Sequence, residues 1–143
     1  MTCRLVSPLD YNYGNGLIIS DLPIGINNGA VIDIILSYQN PIPPDTNHVL
    51  YFNILGKVMR NGKQATIECT TPFVVNIKEG VYQISGEADY GFLGALAHSA
   101  LQNAQKVFDH LAMGTSFAGE RLNNCSTIEL IEKLKDANLT QNN

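Results

Sequence analysis

The stretch GKQATIECTTPFVVNI, Gly62 to Ile77, sets an apolar or methyl-bearing residue at every odd position from Ala65: Ala65, Ile67, Cys69, Thr71, Phe73, Val75 and Ile77. Alternation of this kind marks a β-strand with one buried face. The run is well beyond the usual strand of about five or six residues. Val49 to Arg60 alternates in the same way just upstream, and Asn61-Gly62 between them is the dipeptide that best suits a two-residue type I′ hairpin turn. That turn fixes a register. With Arg60 opposite Lys63, one face pairs Leu50 with Phe73, Phe52 with Thr71, Ile54 with Cys69, Gly56 with Ile67 and Val58 with Ala65. Each of these pairs is apolar or small, and a slip of one residue would destroy the match. The other face pairs Val49 with Val74, Tyr51 with Pro72, Asn53 with Thr70, Leu55 with Glu68 and Lys57 with Thr66, a mixed surface.

Around this hairpin the chain supplies its cover. Ala30, Ile32, Ile34, Leu36 and Tyr38 alternate against Asp33, Ser37 and Gln39, which predicts a further strand ending at the proline-rich NPIPPDTN, Asn40 to Asn47. Residues 1–29 are expected to be irregular apart from a short strand at Leu17 to Ser20. Past NIKEGVYQISG the period becomes helical, with Leu93, Leu96, Ala97, Ala100, Ala104, Val107, Phe108 and Leu111 on one stripe until Gly114. Ser126-Thr-Ile-Glu129 then reads as a capping box opening a second helix, with Ile128, Ile131 and Leu134 expected inward. The tail from residue 135 is expected to fray. These elements predict a single α+β domain over residues 1–143: an antiparallel four-stranded sheet with a long central hairpin, one face covered by the long helix, and a C-terminal helix.

Composition narrows the function. In 143 residues only 15% are charged, against about a quarter in typical soluble domains. That shortage suggests surface covered by another copy or a partner. The net charge of −4 comes with scattered basic residues, so no nucleic-acid partner is expected. With neither a signal-peptide pattern nor an apolar run of about 18 residues, a cytoplasmic protein without membrane insertion is expected. Three cysteines, Cys3, Cys69 and Cys125, have neither disulfide-framework nor zinc-site spacing.

Catalytic candidates are few. Cys69 falls mid-strand on the core face, where a thiol is inert. His98 and His110 are too far apart on one helix to ligate a metal together, and no nucleophile pairs with a base. Lys57 and Glu68 read as a cross-strand ion pair. Neither enzyme activity nor a cofactor or metal is expected. What remains is apolar: Tyr38, Tyr51, Leu55 and Val74 on or near the mixed face, with Phe117 and Leu122 from the loop Gly114 to Cys125, form a candidate surface for extended apolar chain.

Two stretches carry a family likeness. TIECTTPFVVNI, Thr66 to Ile77, is similar to the third-to-fourth-strand region of SecB protein-export chaperones, and GTSFAGERLNNCSTIELIEKL, Gly114 to Leu134, resembles their helix stop, crossover loop and final helix. The resemblance spans roughly residues 30–134. It implies an ATP-independent chaperone that binds extended apolar segments of unfolded clients or specific partners, assembled as a homotetramer. The family's crossover is usually rich in proline, whereas FAGERLNNCS has none, and the tail LTQNN lacks the metal-binding character of some export members. Some SecB-like proteins serve toxin–antitoxin pairs instead of the motor SecA. The competing expectation is an oligomeric small-ligand binder whose pockets use the loops near Asn12 to Gly16 and Asn27 to Gly29.

Overall fold

The computed structural model describes residues 3–8, 16–39, 47–77, 87–136 and 140–141. Its centre is the expected hairpin. Strand β4 (Asn47–Arg60) and strand β5 (Lys63–Ile77) pair antiparallel in the register that the turn dictates, including Leu50 with Phe73, Ile54 with Cys69 and Val58 with Ala65. Asn61 and Gly62 both have positive φ, 52° and 78°, as a type I′ turn requires. Strand β3 (Gly29–Gln39) adds to β4. On the far side of β5 the fourth lane is split: β1 (Cys3–Pro8) pairs with one end of β5 and β2 (Ile18–Asp21) with the other. A two-residue strand β6 (Thr140–Gln141) lies parallel to the end of β3.

Helix α1 (Glu87–Ala112) packs on β4 and β5, and α2 (Thr127–Asp136) packs on α1 and β3. Both lie on one face. Between them and the sheet sit Ile32, Ile34, Leu36, Leu50, Phe52, Ile54 and Ile67, with Leu93, Ala97, Leu101, Ala104 and Phe108 opposite. The fold is therefore α+β, an antiparallel sheet with a long central hairpin, covered on one face by the long helix and the C-terminal helix.

Two glycines permit this closeness. A Cβ at Gly56 in β4 would lie 2.7 Å from Leu122 Cδ2, and one at Gly94 in α1 would lie 2.7 Å from Ile131 Cγ1. Gly94 lets α2 lie close against α1. The α2 N-terminus is capped as expected, with the Glu129 N–H donating to Ser126 Oγ at 3.2 Å and the Ser126 hydroxyl to Glu129 Oε1 at 3.3 Å.

Several expectations are corrected. Cys3–Pro8 is a strand, although its sequence alternates too briefly to announce one. On α2 the buried residues are Leu130 and Leu134; Ile131 is half-buried and Ile128 is 74% exposed, because α2 turns the face nearest Gly94 toward α1. In the tail, Thr140 and Gln141 pair with β3. The proline-rich loop, apart from Asn47 at its end, and the segment Lys78 to Gly86 lie outside the described residues.

Candidate functional site

The face of the sheet away from both helices is assembled by register in cross-strand rows. From the hairpin tip these run Gly29–Met59–Gln64, Val31–Lys57–Thr66, Asp33–Leu55–Glu68, Ile35–Asn53–Thr70, Ser37–Tyr51–Pro72 and Gln39–Val49–Val74. Apolar side chains scattered singly are ordinary on a protein surface, whereas neighbouring ones on one face are informative. Here Val31 is 43% exposed and Ile35 50%, while Tyr51, Leu55, Met59, Val49 and Val74 are half-buried. Two cavities open on this face: one of about 600 Å³ around Asp33, Ile35, Asn53, Leu55 and Glu68, which reaches round the β3 margin to Ile34 and to Lys133 of α2, and one of about 310 Å³ around Leu22, Ile26, Val31, Leu55 and Met59. Both include Asp33 and Leu55, so they form one groove. It has an apolar end near the hairpin tip and a carboxylate-bearing end beyond Leu55.

The polar groups are partly fixed in place. Asn53 Nδ2 donates to Glu68 Oε1 at 3.0 Å, and the Thr70 hydroxyl donates to Asn53 Oδ1 at 3.3 Å. The expected Lys57–Glu68 ion pair is replaced by this neutral donor, which stands one row away on the adjacent strand. Tyr51 donates its hydroxyl to Gln39 Oε1 at 3.2 Å, which holds the ring along the face. Asp33 makes no ion pair among the described residues.

Of the six residues expected to share one surface, Tyr51, Leu55 and Val74 do. Tyr38 does not: it opposes Leu50, so its ring belongs to the helix-covered face and packs at the border of the core. Phe117 and Leu122 are 2% and 4% exposed, and Leu122 sits over Gly56 on the helix side. The crossover thus supplies core, and the thickness of the sheet separates it from the groove. In place of those three the structure brings Val31, Asp33 and Ile35 from β3, together with Leu22, Pro23 and Ile26 from the β2–β3 turn. The available signal was two apolar residues, Val31 and Ile35, standing on the same side of the alternation as Asp33.

Elsewhere, Cys69 is fully buried, and loss of solvent pushes its thiol pKa up despite the Thr71 hydroxyl beside it. Asn103 of α1 donates to Thr71 Oγ1 at 3.1 Å in the same place. His98 lines a separate polar cleft of about 330 Å³ with Gln102, Gln105, Asp109, Arg121 and Asn124. Among the described residues there is no cluster of three metal-ligating side chains, and no helix is long and apolar enough to cross a membrane. The loop near Asn12 lies outside the described residues, and Asn28 is engaged, its Oδ1 accepting the Asn61 N–H at 2.9 Å.

No known protein family and no curated protein matches the chain by sequence. Among solved structures, it is similar to a SecB-like chaperone of Mycobacterium tuberculosis in complex with a ChAD peptide from the HigA1 antitoxin, at 12% identity and a TM-score of 0.46, over 84% of this chain and 89% of that one.

Proposed function

We propose that the protein is an ATP-independent chaperone of SecB type that holds extended apolar segments of unfolded or specific partner polypeptides on the outer face of its sheet. The observation that carries the reading is the groove itself. Val31 is exposed and Leu55 and Met59 are only half-buried along a sheet face that neither helix covers. Apolar side chains of a bound segment gain burial in such a groove, while Asp33, Asn53 and Glu68 beside it remain wet enough to keep the empty face soluble. The sequence likeness over residues 30–134 and the low charged fraction of 15% support the same reading and a homo-oligomer, a tetramer built as a dimer of dimers. Partners are then polypeptide segments, with no cofactor and no catalytic step.

The test is suppression of aggregation of an unfolded client by the purified protein. Tyr51→Ser combined with Leu55→Ser should abolish that suppression while the thermal unfolding midpoint stays close to the parent's, because neither residue belongs to the helix-covered core. Unimpaired suppression by the double variant would remove the outer face from the reading. One observation favours the small-ligand alternative, the polar cleft at His98 and Arg121, and native mass spectrometry of the purified protein for a retained polar compound decides it.

A further inference from the structure

Among the described residues strand β3 borders the sheet everywhere except beside β6 at its end, and the hairpin turn fixes where its backbone groups point. Residues flanking a two-residue turn exchange both of their hydrogen bonds, so Arg60 and Lys63 face each other. Counting back along β4, every second residue from Arg60 bonds β5, and the intervening Met59, Lys57, Leu55 and Asn53 bond β3. Their partners are Gly29, Val31, Asp33 and Ile35. The N–H and C=O groups of Ala30, Ile32, Ile34 and Leu36 are therefore aimed away from β4, at the free margin. The same count aims Gly62 at β2, and the Leu22 N–H does donate to Gly62 O at 2.8 Å.

Among the described residues only Thr140 and Gln141 pair on the free side of β3, and they reach no further than Ser37 and Tyr38. Unpaired strand edges are templates for another strand, and proteins commonly blunt them with proline, bulges or charge. This edge has neither proline nor bulge from Gly29 to Leu36, and its single charge is Asp33, flanked two residues away on each side by the exposed Val31 and Ile35.

The charge decides the occupant. Symmetric pairing with a second copy about Asp33 would set two carboxylates directly opposite each other, and pairing about Ile32 or Ile34 would set each carboxylate against Val31 or Ile35, so no symmetric register near the middle of this edge gives Asp33 a partner of opposite charge. An extended segment with Lys or Arg between two apolar residues, each two positions away, matches the edge: the cation opposes Asp33 and the apolar side chains oppose Val31 and Ile35. Glu68 adds a second carboxylate to the cavity at this margin; Lys133 of α2 also lines it but makes no ion pair with Asp33.

We propose that the partner segment binds by strand addition to the β3 edge between Gly29 and Leu36, and that Asp33 selects an apolar–x–basic–x–apolar pattern. This deepens the proposed holding of extended chain and rests on it. It also leaves the β1/β2 margin, rather than β3, for contacts between subunits.

The experiment uses the full-length protein and two fluorescent dodecapeptides that differ only in a VTKTI or VTETI core. Anisotropy titration at low salt should show the lysine peptide binding roughly threefold to tenfold tighter, the scale set by a cross-strand charge pair. Asp33→Lys should reverse the order, and Asp33→Ser should abolish the difference. Hydrogen exchange should slow at the Ala30, Ile32, Ile34 and Leu36 amides when the lysine peptide is present. Equal binding of both peptides to all three proteins would overturn the selection by Asp33. Unchanged exchange at the β3 amides while the lysine peptide binds, with that binding lost in the Tyr51→Ser and Leu55→Ser double variant, would overturn strand addition and leave the outer-face reading standing. Protection of the β3 amides that depends on protein concentration without peptide would assign the edge to a second copy and overturn the proposal. Failure of either peptide to bind a protein that still suppresses aggregation would sink the inference alone.

Discussion

Leu122 of the crossover rests on the bare backbone of Gly56, so closely that a Cβ there would lie 2.7 Å from Leu122 Cδ2 and 3.0 Å from Cδ1. Mid-strand glycine is ordinarily a weakness, since it packs nothing and loses the most backbone freedom. Here it is the seat for the loop that closes the core. Gly56→Ala should destabilise by about 1–2 kcal/mol despite alanine's smaller entropy loss, because Leu122 is buried and has little room to move. Denaturant unfolding measures it. Adding Leu122→Ala should then cost less than Leu122→Ala costs in the parent, since the two sites share one contact.

Gly91 and Gly94 stand one turn apart on α1 and should respond with opposite signs. Nothing lies within 4 Å of a Cβ at Gly91, whereas one at Gly94 meets Ile131 Cγ1 at 2.7 Å and Thr127 Cγ2 at 3.1 Å. Gly91→Ala should stabilise by about 0.5–1 kcal/mol through helix propensity alone. Gly94→Ala gains the same term but forces α2 outward, and a net loss of about 1–3 kcal/mol is expected from overpacking. If Gly94→Ala were as stabilising as Gly91→Ala, the close approach of α2 to α1 would be wrong.

Phe52 tests which face of the hairpin is the core. It is fully buried and meets Phe73 edge to face at 5.7 Å between ring centres, 81° apart. Phe52→Ala should cost about 3–5 kcal/mol. Leu55→Ala, three positions on but pointing to the groove, should cost under about 1.5 kcal/mol, because its side chain is only half-buried. A larger loss at Leu55 than at Phe52 would reverse the faces.

The hairpin was readable from sequence because two independent signals coincide in it. Asn61-Gly62 demands one turn geometry, and only one register from that turn places Phe52, Ile54, Ile67 and Phe73 together. A long periodic run was enough for α1 and β3, but short or aperiodic segments were misread. Ile128 and Leu130 are both apolar on a short helix, and which of them is buried depends on how α2 is rotated against α1, where Thr127 and Ile131 meet Gly94, a contact that sequence spacing does not contain. Phe117 and Leu122 lie in a loop without periodicity, so their burial left no trace in the pattern. The groove was half visible for the same reason: Tyr51, Leu55 and Val74 follow from the register, whereas Leu22 and Ile26 reach the face only through the path of a turn.

Assembly is checked by light scattering at micromolar concentration. A tetramer should scatter as four 15.6 kDa chains. Close helix–helix approach through Ala97, Ala100 and Ala104 of α1 is not available to it, since all three are buried within the chain, whereas Ala95 is exposed. The outward side of α1 is polar, with Ser99, Gln102, Lys106 and Asp109 exposed. An interface there should weaken in salt, and a monomer at all salt concentrations would remove the oligomer from the reading.

The two buried thiols give a pH dependence of known sign. Burial raises the pKa of Cys69 and of Cys125, the latter with help from the nearby Glu129 carboxylate. A thiol whose folded pKa lies above its unfolded value binds its proton more tightly in the native state, so between the two pKa values the native protein holds more protons. Stability is then fully present below the ordinary thiol value of 9.0 and falls as pH rises above it. Tyrosine and lysine side chains titrate in the same range, so the informative quantity is a difference between proteins. Unfolding free energy measured from pH 8 to 10.5 should fall more steeply in the parent than in Cys69→Ala, whose own cavity cost does not vary with pH. Cys69 should also resist a thiol-alkylating reagent until the protein unfolds, because a thiol held protonated on the covered face of β5 offers neither a nucleophile nor a path to one. Equal slopes for the two proteins, or alkylation of Cys69 at the rate of a free thiol under native conditions, would show that the helix-covered face opens readily at this position.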